Sequence, residues 1–172
     1  MRTLVLGIGN PILGDDGVGF HIAQELARKI KDENIDVKNT SIDGLNLLEL
    51  IVGYDNVIII DAIMTQDGEV GEIYRLRPEN FAKTVHSTTS PHNANLATAI
   101  EIGKKFLVGQ MPTKIVVFAV SIQEVTRVTE EMTGKVREAV PGAVNLILEE
   151  LDSNKESRLP QTQKLPSASL AP

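Results

Sequence analysis

The 172-residue sequence has no cysteine and no tryptophan, and aromatic residues make up only 3% of it. The absence of cysteine excludes disulfides, thiolate metal ligands and cysteine nucleophiles, and it is typical of proteins from a reducing compartment. We therefore expect a cytoplasmic protein. The scarcity of aromatic rings argues against a stacking platform for single-stranded nucleic acid and leaves aliphatic side chains to build the core.

Clusters of positive charge and long apolar segments are missing as well. The formal net charge is −6, and lysine and arginine are spread along the chain, whereas phosphate backbones are bound by clustered cations. The apolar runs, such as residues 57–60, are far shorter than a membrane span, and the first residues lack the apolar segment of a signal peptide. These features predict no nucleic-acid partner and no membrane association.

What the sequence does contain is a series of short aliphatic segments separated by helical patterns. Hydrophobic residues make up 42% of the chain, enough for one domain with a layered core. Strands are predicted at residues 3–8, 35–42, 56–60, 72–76 and 114–120, and helices at 17–31, 45–52, 91–107 and 133–151. This alternation predicts a three-layer α/β sandwich, in which a mostly parallel, twisted sheet of about five strands carries helices on both faces. The domain should span residues 1–151, and the polar, proline- and serine-rich residues 152–172 are predicted to form a disordered tail.

Three segments with candidate functional residues meet at one edge of this predicted sheet. Asp15 and Asp16 lie in the loop after the first strand, where one of them is expected to cap the following helix and the other is available for chemistry. Asp61 ends the third strand, and a half-buried carboxylate there needs a cation or hydrogen bonds. His92 falls in the first turn of the helix that begins at Pro91, where a neutral imidazole is favoured.

Two carboxylates and an imidazole from these segments would form an open site for a divalent metal. Parallel sheets bind ligands outside the carboxyl ends of their strands, which is where these segments lie. The ligand set suits nickel, zinc or manganese without selecting one of them. Each residue also has a structural explanation, as a helix cap, a carboxylate bonded to loop amides or a core histidine.

The first loop, GIGNPILGDDGVG, has some likeness to a dinucleotide-binding fingerprint. However, Ile12 occupies the third glycine position, where a β-branched side chain would obstruct packing of the helix on the strand. Two carboxylates also stand where a pyrophosphate would bind. The sequence has neither a Gly-x-Ser-x-Gly elbow nor a His-Glu-x-x-His motif, and we expect no organic cofactor.

Five segments together resemble the [NiFe]-hydrogenase maturation endopeptidases. They are LGIGNPILGDDGVG near the start, Asp43-Gly44 after the second strand, IIIDAI at 58–63, SPHNANL at 90–96 and AVPGAV at 139–144. The segments occur in the family's order and cover nearly the whole predicted domain, from residue 3 to about 151. The family's pattern allows Glu or Asp at the position of Asp16, so this sequence conforms to it.

The resemblance implies a specific reaction and a specific set of residues. Members of this family remove a short C-terminal extension from the large-subunit precursor of a [NiFe] hydrogenase after nickel insertion, and they recognise the inserted nickel. By resemblance, Asp16, Asp61 and His92 contact the metal, and Asp43 and Gly44 bind the substrate. Asp16 and Asp61 are also the candidate catalytic residues of an aspartic-type or nickel-dependent peptidase, since one of the two carboxylates could instead activate the attacking water. The sequence does not separate these roles.

The resemblance also implies the metal and the partner. Nickel would be supplied by the substrate, with zinc or another divalent ion able to substitute in vitro. The partner would be the large-subunit precursor, and the protein is expected to act as a monomer.

Two alternatives come from different functional classes. A nickel-binding or delivery module without protease activity would use the same ligands, although nickel carriers usually have histidine-rich tracts and this sequence has three histidines. The second alternative is a peptidyl-tRNA hydrolase-like enzyme, because the Gly-x-Gly-Asn-Pro segment after the first strand also resembles the opening of that family. The acidic charge and the Gly-Asp-Asp-Gly loop disfavour that second alternative, because tRNA requires a cationic surface.

Overall fold

The computed structural model describes residues 1–41, 44–65, 68–78, 80, 91–123 and 128–156; for residues 91–95 and 155–156 it describes the backbone only. Residues 83–90, predicted to form a loop, and residues 157–172 of the predicted tail lie outside the described residues.

The described residues form a five-stranded sheet, as predicted. The strands are β1 (Thr3–Ile8), β2 (Ile35–Thr40), β3 (Asn56–Ile63), β4 (Ile73–Leu76) and β5 (Lys114–Ser121). They lie in the order β2-β1-β3-β5-β4, and all neighbours are parallel except β4, which pairs antiparallel with β5. The connection after β1 leads to β2 on one side, and the connection after β2 returns to β3 on the other. The order of the strands therefore reverses at the carboxyl ends of β1 and β3.

Continuous aliphatic runs form the central strands because both faces of the sheet are covered. Every residue of β3 is buried, and alternate side chains enter opposite cores: Ile58 and Ile60 pack in one, Val57 and Ile59 in the other. The edge strand β2 is only partly buried, which explains its mixed polar and apolar sequence.

Helices cover the two faces as the predicted sandwich requires. They are α1 (Val18–Lys29), α2 (Leu47–Ile51), α3 (Pro91–Phe106) and α4 (Gly134–Glu156). Side chains of α1 and α4 form one core with β1, β3 and β5, and side chains of α2 and α3 form the other. The last helix continues through Pro141 and extends to Glu156, so residues 152–156 belong to the helix and not to the predicted tail.

An ion-pair group fastens α4 to the β4 side of the sheet. Glu150 is buried, and its carboxylate lies 2.8 Å from Arg75 Nε and 2.7 Å from Lys114 Nζ. Burial alone would raise the pKa of Glu150, but hydrogen bonds from Arg75 and Lys114 outweigh it and the pKa is lowered. None of the helices described here is long and apolar enough to span a bilayer.

Candidate active site

The loop between β1 and α1 depends on glycine for its tight path. Gly9 has a φ of 141°, and a Cβ at this position would collide with the carbonyl oxygen of Asp16. The chain then forms one 3-10 turn at Gly14–Gly17, which carries both aspartates. This close approach of the backbone holds the aspartate turn against the carboxyl end of β1.

Asp16 faces the space beyond the strand ends. Its Oδ2 accepts a hydrogen bond from the backbone N–H of Asn10 at 2.9 Å, and the residue is half-buried. Asn10 in turn accepts the N–H of Ile12 at 3.2 Å through its own side chain. The Gly9-Asn10-Pro11 segment thereby fixes one oxygen of the Asp16 carboxylate.

Asp61 occupies the sixth position of β3, which continues to Ile63, so the prediction that the strand ends at Asp61 is wrong. The residue is only 5% exposed and therefore more buried than predicted. By strand alternation its side chain shares the face of Ile59 and Ile63, the face that α2 and α3 cover. Its Oδ1 accepts the N–H of Ala62 at 2.8 Å. Burial raises the pKa of Asp61 well above its ordinary value, against the effect of the Ala62 hydrogen bond, and the charge of Asp16 raises it further.

Asp16 and Asp61 line one pocket at the point where the strand order reverses. The pocket has a volume of about 80 Å³, and it is lined by Ile8, Gly9, Asn10, Leu13, Asp16, Ser41 and Asp61. The structure thus brings together the two carboxylates that the sequence predicted for one site. No lysine, arginine or histidine lines the pocket in the part of the chain that the structure describes.

His92 is placed by its backbone alone, in the first turn of α3. The segment after α3 bonds to the loop before β3, through Gly53 N–H and the carbonyl of Gln110 at 3.1 Å. The end of α3 therefore lies at the amino edge of the sheet, and its beginning lies toward the carboxyl edge, on the face that Asp61 shares. The described side chains contain no group of three metal-ligating residues, and the imidazole of His92 is not among them.

The predicted substrate-binding pair is described only in part. Asp43 lies outside the described residues, whereas Gly44 begins a 3-10 turn, Gly44–Asn46, with a φ of 61°. This turn contacts α3, the helix that carries His92. Ser41 also lines the pocket and was not predicted as a site residue. Its position just after the end of β2 is the signal that could have identified it.

Asp15 has a structural role that differs from the predicted helix cap. The N-cap position of α1 is Gly17, without a side-chain cap. Asp15 is instead buried and accepts two hydrogen bonds from Thr133, at 2.7 Å from its N–H and at 2.8 Å from its hydroxyl. Thr133 immediately precedes α4, so Asp15 satisfies a free amide at the start of a helix 118 residues away along the chain.

We expect Thr133→Val to lower stability by about 1–2 kcal/mol, because one oxygen of the buried Asp15 carboxylate loses its donor while the N–H bond remains. For a chain of this size the melting temperature should fall by about 2–8 °C. Thr133→Ser is the control, since it keeps the hydroxyl, and it should retain most of the stability in a thermal melt. Equal losses in the two variants would contradict this role of the hydroxyl.

Fold and pocket together define the class of the molecule: a doubly wound α/β protein with a pair of carboxylates at its switch point. The family model of the hydrogenase maturation proteases matches residues 20–150. The Hydrogenase 2 maturation protease of Escherichia coli K12 is 30% identical over 121 residues, which cover 70% of this chain and 73% of that protein. The chain belongs to the hydrogenase maturation protease family and is a peptidase.

Solved structures agree with this assignment. The hydrogenase maturating endopeptidase HybD from Escherichia coli superposes with a TM-score of 0.77 at 28% identity, and the match covers 90% of this chain and 94% of that one. The [NiFe] hydrogenase maturation protease HybD from Thermococcus kodakarensis gives a TM-score of 0.66 at 26% identity, with coverage of 88% and 99%. The predicted family and fold are confirmed.

Proposed function

We propose that this protein removes the C-terminal extension from the large-subunit precursor of a [NiFe] hydrogenase after nickel insertion. In this proposal Asp16, Asp61 and His92 contact the nickel that the precursor holds. The observation that carries the proposal is the shared pocket of Asp16 and Asp61, because two carboxylates lie there without a cationic partner among the described residues.

The electrostatics of the pocket favour a divalent cation. Burial and the neighbouring Asp16 charge both disfavour the ionised form of Asp61, so a cation that enters the pocket relieves both unfavourable effects. Nickel already held by the precursor supplies such a cation. A precursor without nickel lacks this compensation and should bind poorly.

The same two carboxylates are the proposed catalytic residues. One carboxylate can contact the metal while the other accepts a proton from the attacking water, a role that a carboxyl group with a raised pKa performs well. Nickel held between these residues would supply a Lewis acid beside the carboxylate that accepts the proton. Because one of these roles requires the nickel that the precursor holds, the peptidase would depend on nickel supplied by its substrate.

The decisive experiment compares nickel-loaded and nickel-free precursor. We expect loss of the C-terminal peptide, measured by intact mass, only in the loaded sample. Equal cleavage of both samples would contradict nickel recognition. Cleavage of neither, together with tight nickel binding by the protein alone, would favour the delivery module.

Three further predictions remain for solution experiments. Zinc or another divalent ion should replace nickel in vitro, which processing of precursor loaded with each metal would test. Fractionation of cells should place the protein in the cytoplasm. Light scattering should give the mass of a monomer.

A further inference from the structure

Among the described residues, four basic side chains line one concave pocket at the edge of the sheet opposite to Asp61. The pocket has a volume of about 500 Å³ and lies where β4 ends beside the amino end of β5. Its cations are Arg75, Arg77, Lys104 and Lys114. No described carboxylate lines it, although the whole chain has a net charge of −6. The pocket is therefore positively charged, although acidic residues outnumber basic ones in the chain as a whole.

A buried carboxylate behind the pocket holds two of these cations in place. Glu150 contacts Arg75 through Nε and Lys114 through Nζ. Binding at Nε leaves the two terminal guanidinium nitrogens of Arg75 without an acceptor among the described residues, and these nitrogens are the natural fork for an oxyanion. The pocket is therefore partly organised before any ligand arrives.

The backbone of β5 adds a donor to the same pocket. The N–H of Ser121 bonds to the carbonyl of Glu72, on the β4 side of β5. Because these directions alternate along a strand, Ile115 also turns its N–H toward the β4 side. β4 ends at Leu76, which pairs with Val117. No described residue of β4 therefore pairs with Ile115, whose N–H is directed toward the pocket side of β5.

We propose that this pocket binds the phosphate group of a small molecule. Several cations, a guanidinium fork and a backbone N–H form the donor set that a phosphate dianion requires. Pro78 and Pro112 give the pocket buried, rigid walls. No aromatic residue lines it among those described, so the ligand is a compact phosphate compound and not one held by base stacking.

The test is a titration of the ¹⁵N-labelled protein with inorganic phosphate and with pyrophosphate at constant ionic strength, followed by amide NMR. We expect saturable shifts at Ile115 and Lys114, with pyrophosphate binding at about 1 mM or tighter. Arg77→Gln and Lys104→Gln should each weaken binding about tenfold, because each removes one charge-assisted contact.

Lys105→Gln is the matched control, since Lys105 neighbours Lys104 on the same exposed turn of α3 but does not line the pocket. It should change the affinity less than about twofold, as expected for a screened surface charge. Absence of saturable shifts, or an equal loss in the Lys105 variant, would overturn the proposal. Tighter binding of a hexaglutamate peptide than of pyrophosphate would also overturn it, in favour of an acidic protein segment. None of these outcomes depends on protease activity.

Discussion

Asp61→Asn is expected to abolish precursor processing and, at the same time, to stabilise the protein at neutral pH. Asparagine keeps an oxygen that can accept the Ala62 N–H but carries no charge in a site that is 5% exposed. In the proposed mechanism the loss of this carboxylate removes one of the two roles that processing requires, metal contact or proton acceptance, so the processing rate should fall at least about 100-fold. A residue that matters only for the fold would not give a gain in stability.

The pH dependence of this stabilisation has a definite sign. Burial raises the pKa of Asp61 in the folded protein, so the folded state holds the proton more tightly than the unfolded chain does. The free energy of unfolding of the wild type therefore decreases as pH rises from the ordinary carboxyl range through the raised pKa. Asp61→Asn lacks this group, and its advantage should be near zero at about pH 3 and grow toward neutrality.

Urea denaturation of the metal-free proteins at several pH values measures this difference. Asp152→Asn is the control, because Asp152 is exposed on α4 and its replacement should change neither stability nor processing. A variant that is less stable than the wild type at neutral pH would show that the Asp61 carboxylate is a structural anchor. Full processing of the precursor by the variant would contradict a role of the Asp61 carboxylate in metal contact or catalysis.

Residues whose role depends on strand position could be predicted from the sequence, whereas residues whose role depends on distant contacts could not. Asp61 follows a four-residue aliphatic run, which predicted a buried strand leading to the carboxyl edge of the sheet. β3 is that strand, although it continues to Ile63. The partner of Asp15 is Thr133, and no local pattern indicates a hydrogen bond across 118 residues. The prediction that Asp15 or Asp16 caps α1 was wrong for this reason.

The glycine that allows α1 to pack on the strand ends could not be predicted from the sequence either. Ile12 occupies the position of the third fingerprint glycine, where the sequence predicted that the helix could not pack closely on the strand. The helix nevertheless packs closely there. Gly19, which lies in α1 after a longer loop, takes that role: a Cβ there would collide with the carbonyl oxygens of Ile8 and Ile60. Close packing of α1 therefore depends on a glycine that faces the strand ends, and the fingerprint spacing did not identify that glycine.

Gly19→Ala should destabilise the protein by about 2–4 kcal/mol, since the added methyl group meets two backbone carbonyls that can move only if α1 shifts away from β1 and β3. The backbone of Gly19 is helical, so alanine introduces no conformational strain and the effect is steric. The same shift would displace the turn that carries Asp16, and processing should fall at least about tenfold.

Gly134→Ala provides the matched control for this prediction. Gly134 also lies in the first turn of a helix, but nothing lies within 4 Å of a Cβ built there. Alanine should therefore be neutral or stabilising by less than about 1 kcal/mol. Urea denaturation of both variants separates helix propensity from steric contact. Similar unfolding free energies for the two would mean that α1 is not held against the strand ends, and the placement of Asp16 beside Asp61 would lose its structural basis.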